Sequence, residues 1–195
     1  MMSERRFQEY LRNEINRLQH TRNDLQKRMR ILALSENEYF TTASYDIRLE
    51  ENSKVAIHTG KQMFHNTVLA ENSYLSGTHR LRIKIENLNS NHKYLFFGVL
   101  SSSIDNIQSV PSFYSPSAYG WSMKYIYVKG IQIGEYDSDI IQEDVIELEL
   151  NCDERIISLL NKRTNKKMQM MADGKLPWKL HCTICCPGDC LRLLD

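Results

Sequence analysis

The residues most suggestive of chemistry lie near the C-terminus. His181-Cys182-Thr183-Ile184-Cys185-Cys186-Pro187-Gly188-Asp189-Cys190 gathers four cysteines and a histidine in one short run. Cys182 and Cys185 have the spacing of one arm of a structural zinc site, which needs four thiolate or imidazole ligands at tetrahedral corners. Cys186 and Cys190 could supply the rest only if the segment coiled tightly. A strand through the same residues separates the pair instead. Cys182, Ile184 and Cys186 would face one side, and His181, Thr183 and Cys185 the other. Free cysteine is also a common buried apolar residue. The expectation is core packing, with no metal and no cofactor.

The other chemical candidates are weaker. Asp137, Asp139, Glu143 and Asp144 cluster, but without the alternating ligands and central glycine of a calcium loop. They are expected to form a solvated turn. The six histidines are scattered, and Ser117-Ala118-Tyr119-Gly120 is not a nucleophile elbow. Gly98, Gly120 and Gly130 stand too far apart for a phosphate loop. No catalytic residue is assigned, and the chain is expected not to be an enzyme.

The elements that would carry these residues fall into two parts. The chain has 195 residues, a formal charge of +1, 42% hydrophobic and 25% charged residues. That is the mix of a globular protein, and it gives no whole-chain electrostatic case for nucleic acid. The charge is uneven, however: residues 1–35 carry net +4 and residues 36–195 net −3. In the first part Leu11, Leu18, Leu25 and Leu32 recur every seven residues. This spacing predicts a helical arm over 1–35. The second coiled-coil position is interrupted by Glu14, Thr21 and Arg28, so two readings stay open. The helix lies on the following domain, or it self-associates as a homodimer through those leucines.

From about residue 36 the period falls to two. Arg80-Leu81-Arg82-Ile83-Lys84-Ile85-Glu86 alternates charge and apolar side chain, the pattern of a strand with one face on a core. Asp144 to Leu150 repeats it, and a polar break at Asn151-Cys152-Asp153-Glu154 leads into a return strand Arg155–Asn161. Further strands are expected at Val55–His58, Tyr94–Leu100, Met123–Val128, Lys167–Met171, Leu180–Cys186 and Cys190–Leu194. Many short strands with no helix between them indicate a mainly β, antiparallel two-sheet sandwich over 36–195, with an N-terminal α-helix. Ser101–Ala118, rich in serine and without periodicity, is expected to be a long functional loop.

The order of the strand motifs carries one more signal. Ser76-Gly77-Thr78-His79 enters the Arg80 strand, Phe97-Gly98-Val99 ends the next, and Tyr119-Gly120-Trp121 follows the long loop. The Asp144–Asp153 hairpin, Leu160-Asn161, Pro177-Trp178 and Gly188-Asp189 come after in turn. This succession resembles the SPRY domain over about residues 40–195. One departure is Glu143, where the family often has glycine before the hairpin aspartate. The resemblance implies a concanavalin-like jelly-roll sandwich used as a protein-recognition module, an adaptor that binds a protein or peptide partner with loops at one end. Asp105, Asn106, Phe113, Tyr114 and Ser115 in the long loop are the expected partner contacts. Aromatics there would supply contact area, and Asp105 and Asn106 directional hydrogen bonds; the alternative is that Phe113 and Tyr114 pack back onto the sandwich. Tyr119, Trp121, Gly77, Gly98 and Gly120 are expected to serve packing and backbone geometry.

Two rival classes remain: a carbohydrate-binding sandwich, which calls for an exposed tryptophan, and a nucleic-acid adaptor acting through the basic arm. The second is disfavoured because acidic and basic residues intersperse around the helix. The N-terminal residues show no apolar h-region, so a signal peptide is not expected, and the longest apolar run, Tyr94 to Leu100, is far short of the roughly 18 residues of a membrane span. Five cysteines cannot all pair with one another. A cytoplasmic location without membrane attachment is expected.

Overall fold

The computed structural model describes residues 12–22, 38–89, 94–101 and 111–195. Fourteen strands form two antiparallel seven-stranded sheets packed face to face. Sheet A runs β1 (Phe40–Ala43), β4 (Asn66–Ala70), β13 (Trp178–Ile184), β6 (Leu95–Ser101), β7 (Ala118–Ser122), β8 (Tyr125–Val128), β9 (Ile131–Glu135). Sheet B runs β12 (Lys166–Met171), β11 (Ile156–Asn161), β10 (Val145–Asn151), β5 (Thr78–Asn87), β14 (Cys190–Leu194), β3 (Val55–His58), β2 (Ile47–Glu50). The mainly β sandwich expected from the alternating strands is the observed fold.

Sheet B reads as its sequence suggests. Along β5 the odd apolar positions Leu81, Ile83 and Ile85 are buried, while the intervening charges face water. They meet Ile146, Leu148 and Leu150 from β10 and Leu191 and Leu193 from β14 in the inter-sheet core. Sheet A is different, because nearly every residue of β4, β6, β7 and β13 is buried. One set, including Phe97, Val99, Trp121, Leu180 and Cys182, faces sheet B. The alternate set, Leu69, Phe96, Leu100, Ala118, His181 and Thr183, is buried on the outer face. Cys182 is thus a core residue. Among the described residues no group of three or more His, Cys, Asp or Glu could hold a metal ion.

Of the four clustered acids, Asp137, Asp139 and Glu143 are exposed as in a solvated turn, and Asp144 alone departs from it. Asp144 is buried, and Arg163 bonds its Oδ1 through Nε at 2.6 Å. Asn161 Nδ2 and the Ile141 N–H donate to Oδ2 at 2.8 and 3.1 Å. Burial alone would raise the Asp144 pKa. The bonds from Arg163, Ile141 and Asn161 outweigh it and hold the carboxyl below its ordinary value. This carboxylate pins the start of β10 to the β11–β12 turn, a structural role that explains why the hairpin begins with aspartate.

Glu143, the position that departs from the SPRY pattern, has φ +72°. A side chain there is strained by its own carbonyl contacts, which glycine avoids. Its ion pair with Lys84, 2.8 Å long but exposed, offsets little of that. Glu143→Gly is expected to raise stability by about 1 kcal/mol, or roughly 3 °C in Tm, measurable by thermal unfolding. An unchanged or lower Tm would show that the turn is not strained.

Within the N-terminal arm, residues 12–22 form a helix, α1. Ile15 and Leu18 on it are exposed, so this stretch of the apolar stripe is not covered by the sandwich. Leu11, Leu25 and Leu32 lie outside the described residues. Among those described, no helix is long and apolar enough to cross a membrane.

Candidate recognition surface

The outer face of sheet A is where the long loop returns. Its described part, from Pro111, makes a single 3₁₀ turn, Ser112–Tyr114. Tyr114 N–H donates to Pro111 O at 2.9 Å and Ser115 N–H to Ser112 O at 3.0 Å. The turn lies flat on the sheet because the sheet is recessed to receive it. Gly98 of β6 and Gly120 of β7 are direct cross-strand partners. A Cβ on Gly98 would fall 2.1 Å from Tyr119 O and 2.9 Å from Phe96 Cε1; one on Gly120 would fall 2.7 Å from Phe96 Cζ. The missing side chains let the Phe96 ring lie down over the two strands.

Phe113 stacks on that ring at 5.6 Å, and meets Tyr127 edge-on at 5.1 Å and His65 at 5.2 Å. Tyr94 packs at 5.6 Å from Phe113 and 4.4 Å from His65. Phe113 is completely buried. Phe113 thus follows the packing alternative in place of the partner-contact one: the loop folds its first aromatic residue back into a second, smaller core. Tyr114 turns the other way. It is 52% exposed, with its ring 4.5 Å from Phe113 and 6.0 Å from Tyr127. The β8–β9 turn supports it from beneath. Gly130 has φ +74°, and a Cβ there would strike Tyr114 O at 2.3 Å. Ser115, also an expected contact, is half-buried and accepts the Ser117 N–H at 3.3 Å. Asp105 and Asn106 lie outside the described residues.

A polar clamp anchors the turn from below. Ser112 Oγ bonds His181 Nε2 at 2.5 Å and also bonds Thr67 Oγ1, tying the loop to β13 and β4. Thr183 Oγ1 lies 3.3 Å from the same ring nitrogen. His181 is wholly buried and its Nδ1 has no partner. A neutral ring with its proton on Nε2 leaves only a lone pair unmatched, whereas an imidazolium would bury a second N–H with no acceptor. Burial therefore lowers the His181 pKa to about 3. Ser112 and His181 make a dyad in geometry only: both are sealed beneath the loop, and no carboxylate orients the ring. The clamp was not legible in the sequence. Its residues come from two separate strands and a loop, with no local motif.

The surface that results is a rigid aromatic floor with Tyr114 raised from it. Tyr94 and Tyr125 are half-buried beside it, and Phe64, in the β3–β4 loop that also carries His65, is 56% exposed. Both tryptophans, Trp121 and Trp178, are buried, so the exposed tryptophan that a carbohydrate-binding reading requires is missing.

No protein-family model matches this chain, and no curated protein matches its sequence. Solved structures do. The PSpry domain of TRIM65 superposes with a TM-score of 0.64 at 12% identity, over 82% of this chain and 92% of that one. The SPRY domain of human HERC1 gives 0.61 at 18% identity, over 80% and 97%. Stonustoxin gives 0.58 at 18% identity, over 81% of this chain and 28% of the toxin's. At these identities the likeness is one of fold. The sandwich is SPRY-like, as the ordered strand motifs imply.

Proposed function

We propose that the protein is a non-catalytic interaction module that holds a protein or peptide partner on the outer face of sheet A. The observation that carries this reading is Tyr114, a half-exposed aromatic seated on a buried aromatic stack and a glycine turn. A ring held in one orientation by its neighbours gives contact area at little entropic cost, the property that makes tyrosine an interface anchor. The likeness to SPRY domains supports the same class of function, as do the sealed Ser112–His181 pair and the missing metal cluster among the described residues. Ser115, Asp105 and Asn106 of the same loop are the proposed polar contacts around Tyr114. The N-terminal arm orients the module or joins two copies through Leu11, Leu18, Leu25 and Leu32. Exposure of Ile15 and Leu18 supports that role, and two modules on one helix pair would bind repeated targets with higher avidity.

Affinity purification followed by quantitative binding tests the reading. Tyr114→Ala is expected to weaken the partner about 30-fold, near 2 kcal/mol, while stability stays within about 0.5 kcal/mol of the wild type. A variant that binds its partner as tightly as the wild type would show that this face is not the site. Light scattering on the full chain and on residues 36–195 tests the arm: a dimer is expected from the first alone.

A further inference from the structure

Among the described residues the sandwich has four free strand edges; three carry charges or are only four residues long, and β9 has a bulge but few charges. β12 presents Lys166 and Lys167, β2 carries the Arg48–Glu50 pair at 2.8 Å, and β1 is four residues long with an irregular register. Charges, short length and bulges are the devices that keep edges from pairing with other chains. β9 lacks the charges along most of its length. Its Ile131 and Ile133 are 65% and 60% exposed, and its one charged residue is Glu135 at the end. The Tyr136 N–H donates to Lys124 O at 2.8 Å, so alternation turns the Glu135 N–H and C=O away from β8. Ile133 is the extra residue between the partners of Ile126 and Tyr127, and such a residue is left outside the ladder. The free backbone groups are therefore few, which suits a short added segment.

Charge indicates what that segment is. Glu135 and the following Asp137 are exposed and form no ion pair among the described residues; Lys166 serves Asp139 instead, at 3.3 Å. Glu135 pairs with Tyr125 across the hairpin, so it stands on the outer face beside the aromatic floor. A cation opposite Glu135 would meet a carboxylate and an aromatic ring together. A second copy of β9 does not supply one. Antiparallel pairing about Ile133 brings Lys129 to Asp137, but Asp173 already holds Lys129 at 2.7 Å. Parallel pairing sets acid against acid.

We propose that β9 accepts, by strand addition, a short extended segment of the partner protein that alternates β-branched residues with Lys or Arg, its cations placed against Glu135 and Asp137. This deepens the recognition reading above and rests on it, since it names the chemistry of what sheet A receives. Main-chain bonds would give affinity and the two carboxylates register.

The probe is a fluorescein-labelled peptide, acetyl-Gly-Arg-Val-Arg-Val-Thr-Gly-amide, whose arginines stand two residues apart as Glu135 and Asp137 do. Its controls are the same peptide N-methylated at both arginines, whose N–H groups face β9 when their side chains oppose the carboxylates in an antiparallel pair, and one with both arginines replaced by glutamate. Fluorescence anisotropy on the full chain is expected to show each control binding at least about tenfold more weakly. Glu135→Lys with Asp137→Lys should reverse the preference in favour of the glutamate peptide, and the Arg peptide should slow amide exchange at Ile133 and Glu135 in the wild type. Equal binding of the N-methylated peptide, an unreversed charge preference, or unprotected amides would each overturn the proposal. So would a dimer that Ile133→Lys returns to monomer, because a second copy would then be the occupant. If the peptide series behaves as expected while Tyr114→Ala leaves partner affinity intact, the Tyr114 surface is wrong and the edge stands. The reverse pattern removes the edge alone.

Discussion

Phe113→Ala is expected to lower the unfolding free energy by about 4 kcal/mol, and Tm by roughly 10 °C. For a residue in a serine-rich loop that is a large effect, and it follows from where the ring sits. Phe113 is sealed between Phe96 of β6, Tyr127 of β8, Tyr94 and His65, and truncation leaves a cavity that the surrounding rings cannot close. Phe96 in particular has nowhere to go, because it already occupies the space over Gly98 and Gly120. Phe113→Leu, which restores most of the volume, should cost only about 1 kcal/mol. Urea denaturation of the two variants checks this. An alanine variant within 0.5 kcal/mol of the wild type would mean that the loop does not pack as described. The same variant should lose partner binding, since Tyr114 rests on Phe113. Binding loss here accompanies destabilisation, which separates Phe113, a positioning residue, from Tyr114, whose truncation leaves the fold intact.

The difference between the two sheets explains how much was legible. Sheet B has one wet face, so Arg80–Glu86 and Asp144–Leu150 alternate visibly and gave their strands and inward residues directly. The central strands of sheet A are covered on both faces. A strand buried on both sides, such as Leu95–Ser101, shows a continuous apolar run with no period of two. Its faces can then be assigned only from the register of its neighbours. β4 was missed for the same reason: Asn66–Ala70 is buried throughout but too short and mixed to stand out. β9 was missed for the opposite reason, as an apolar alternation interrupted by Gly134 on an exposed edge.

The long loop is recognisable in the sequence as an irregular segment, but the orientation of its side chains is not. Serine and proline mark Ser101–Ala118 as irregular, and Phe113 and Tyr114 look alike in such a segment. Which aromatic points inward depends on a recess made by two glycines, one before the loop and one after it. Those glycines were legible as backbone-geometry residues; the Phe96 ring lying over them was not, because that contact crosses strands. His181 shows the same limit. In sequence it stands beside a cysteine and invites a metal reading, while in the fold it turns away from Cys182 to the opposite face of β13 and receives the loop.

Because His181 is buried neutral, the protein is expected to lose stability in mild acid well before its carboxylates titrate. In the unfolded chain the imidazole takes a proton near pH 6.5; in the folded protein it resists protonation down to about pH 3. Between those values the unfolded state binds the extra proton, so stability falls as pH falls, by up to about 1.4 kcal/mol per pH unit. From pH 7 to 4.5 the loss through this residue is about 3 kcal/mol. His65 and His79 are also held below their ordinary value by burial, and they add to the slope. Asp144, whose folded pKa is lowered, contributes stability above the ordinary carboxylate range and loses it only below pH 4, outside this window. His181→Gln isolates the one group, since a glutamine side-chain N–H can still donate to Ser112 Oγ but does not titrate. Chemical denaturation at half-unit steps from pH 7 to 4.5 should give a wild-type slope steeper than the variant's by about 1.4 kcal/mol per unit below pH 6. His65 and His79 are common to both proteins and cancel in that difference. Parallel slopes would show that His181 can be protonated in place, and the loop would then be held far more loosely than the Ser112 clamp requires. A steeper wild-type slope also sets the conditions for binding work: near pH 5 the clamp beneath Tyr114 is opposed by the proton that unfolding admits, so partner affinity should fall there in the wild type and not in His181→Gln.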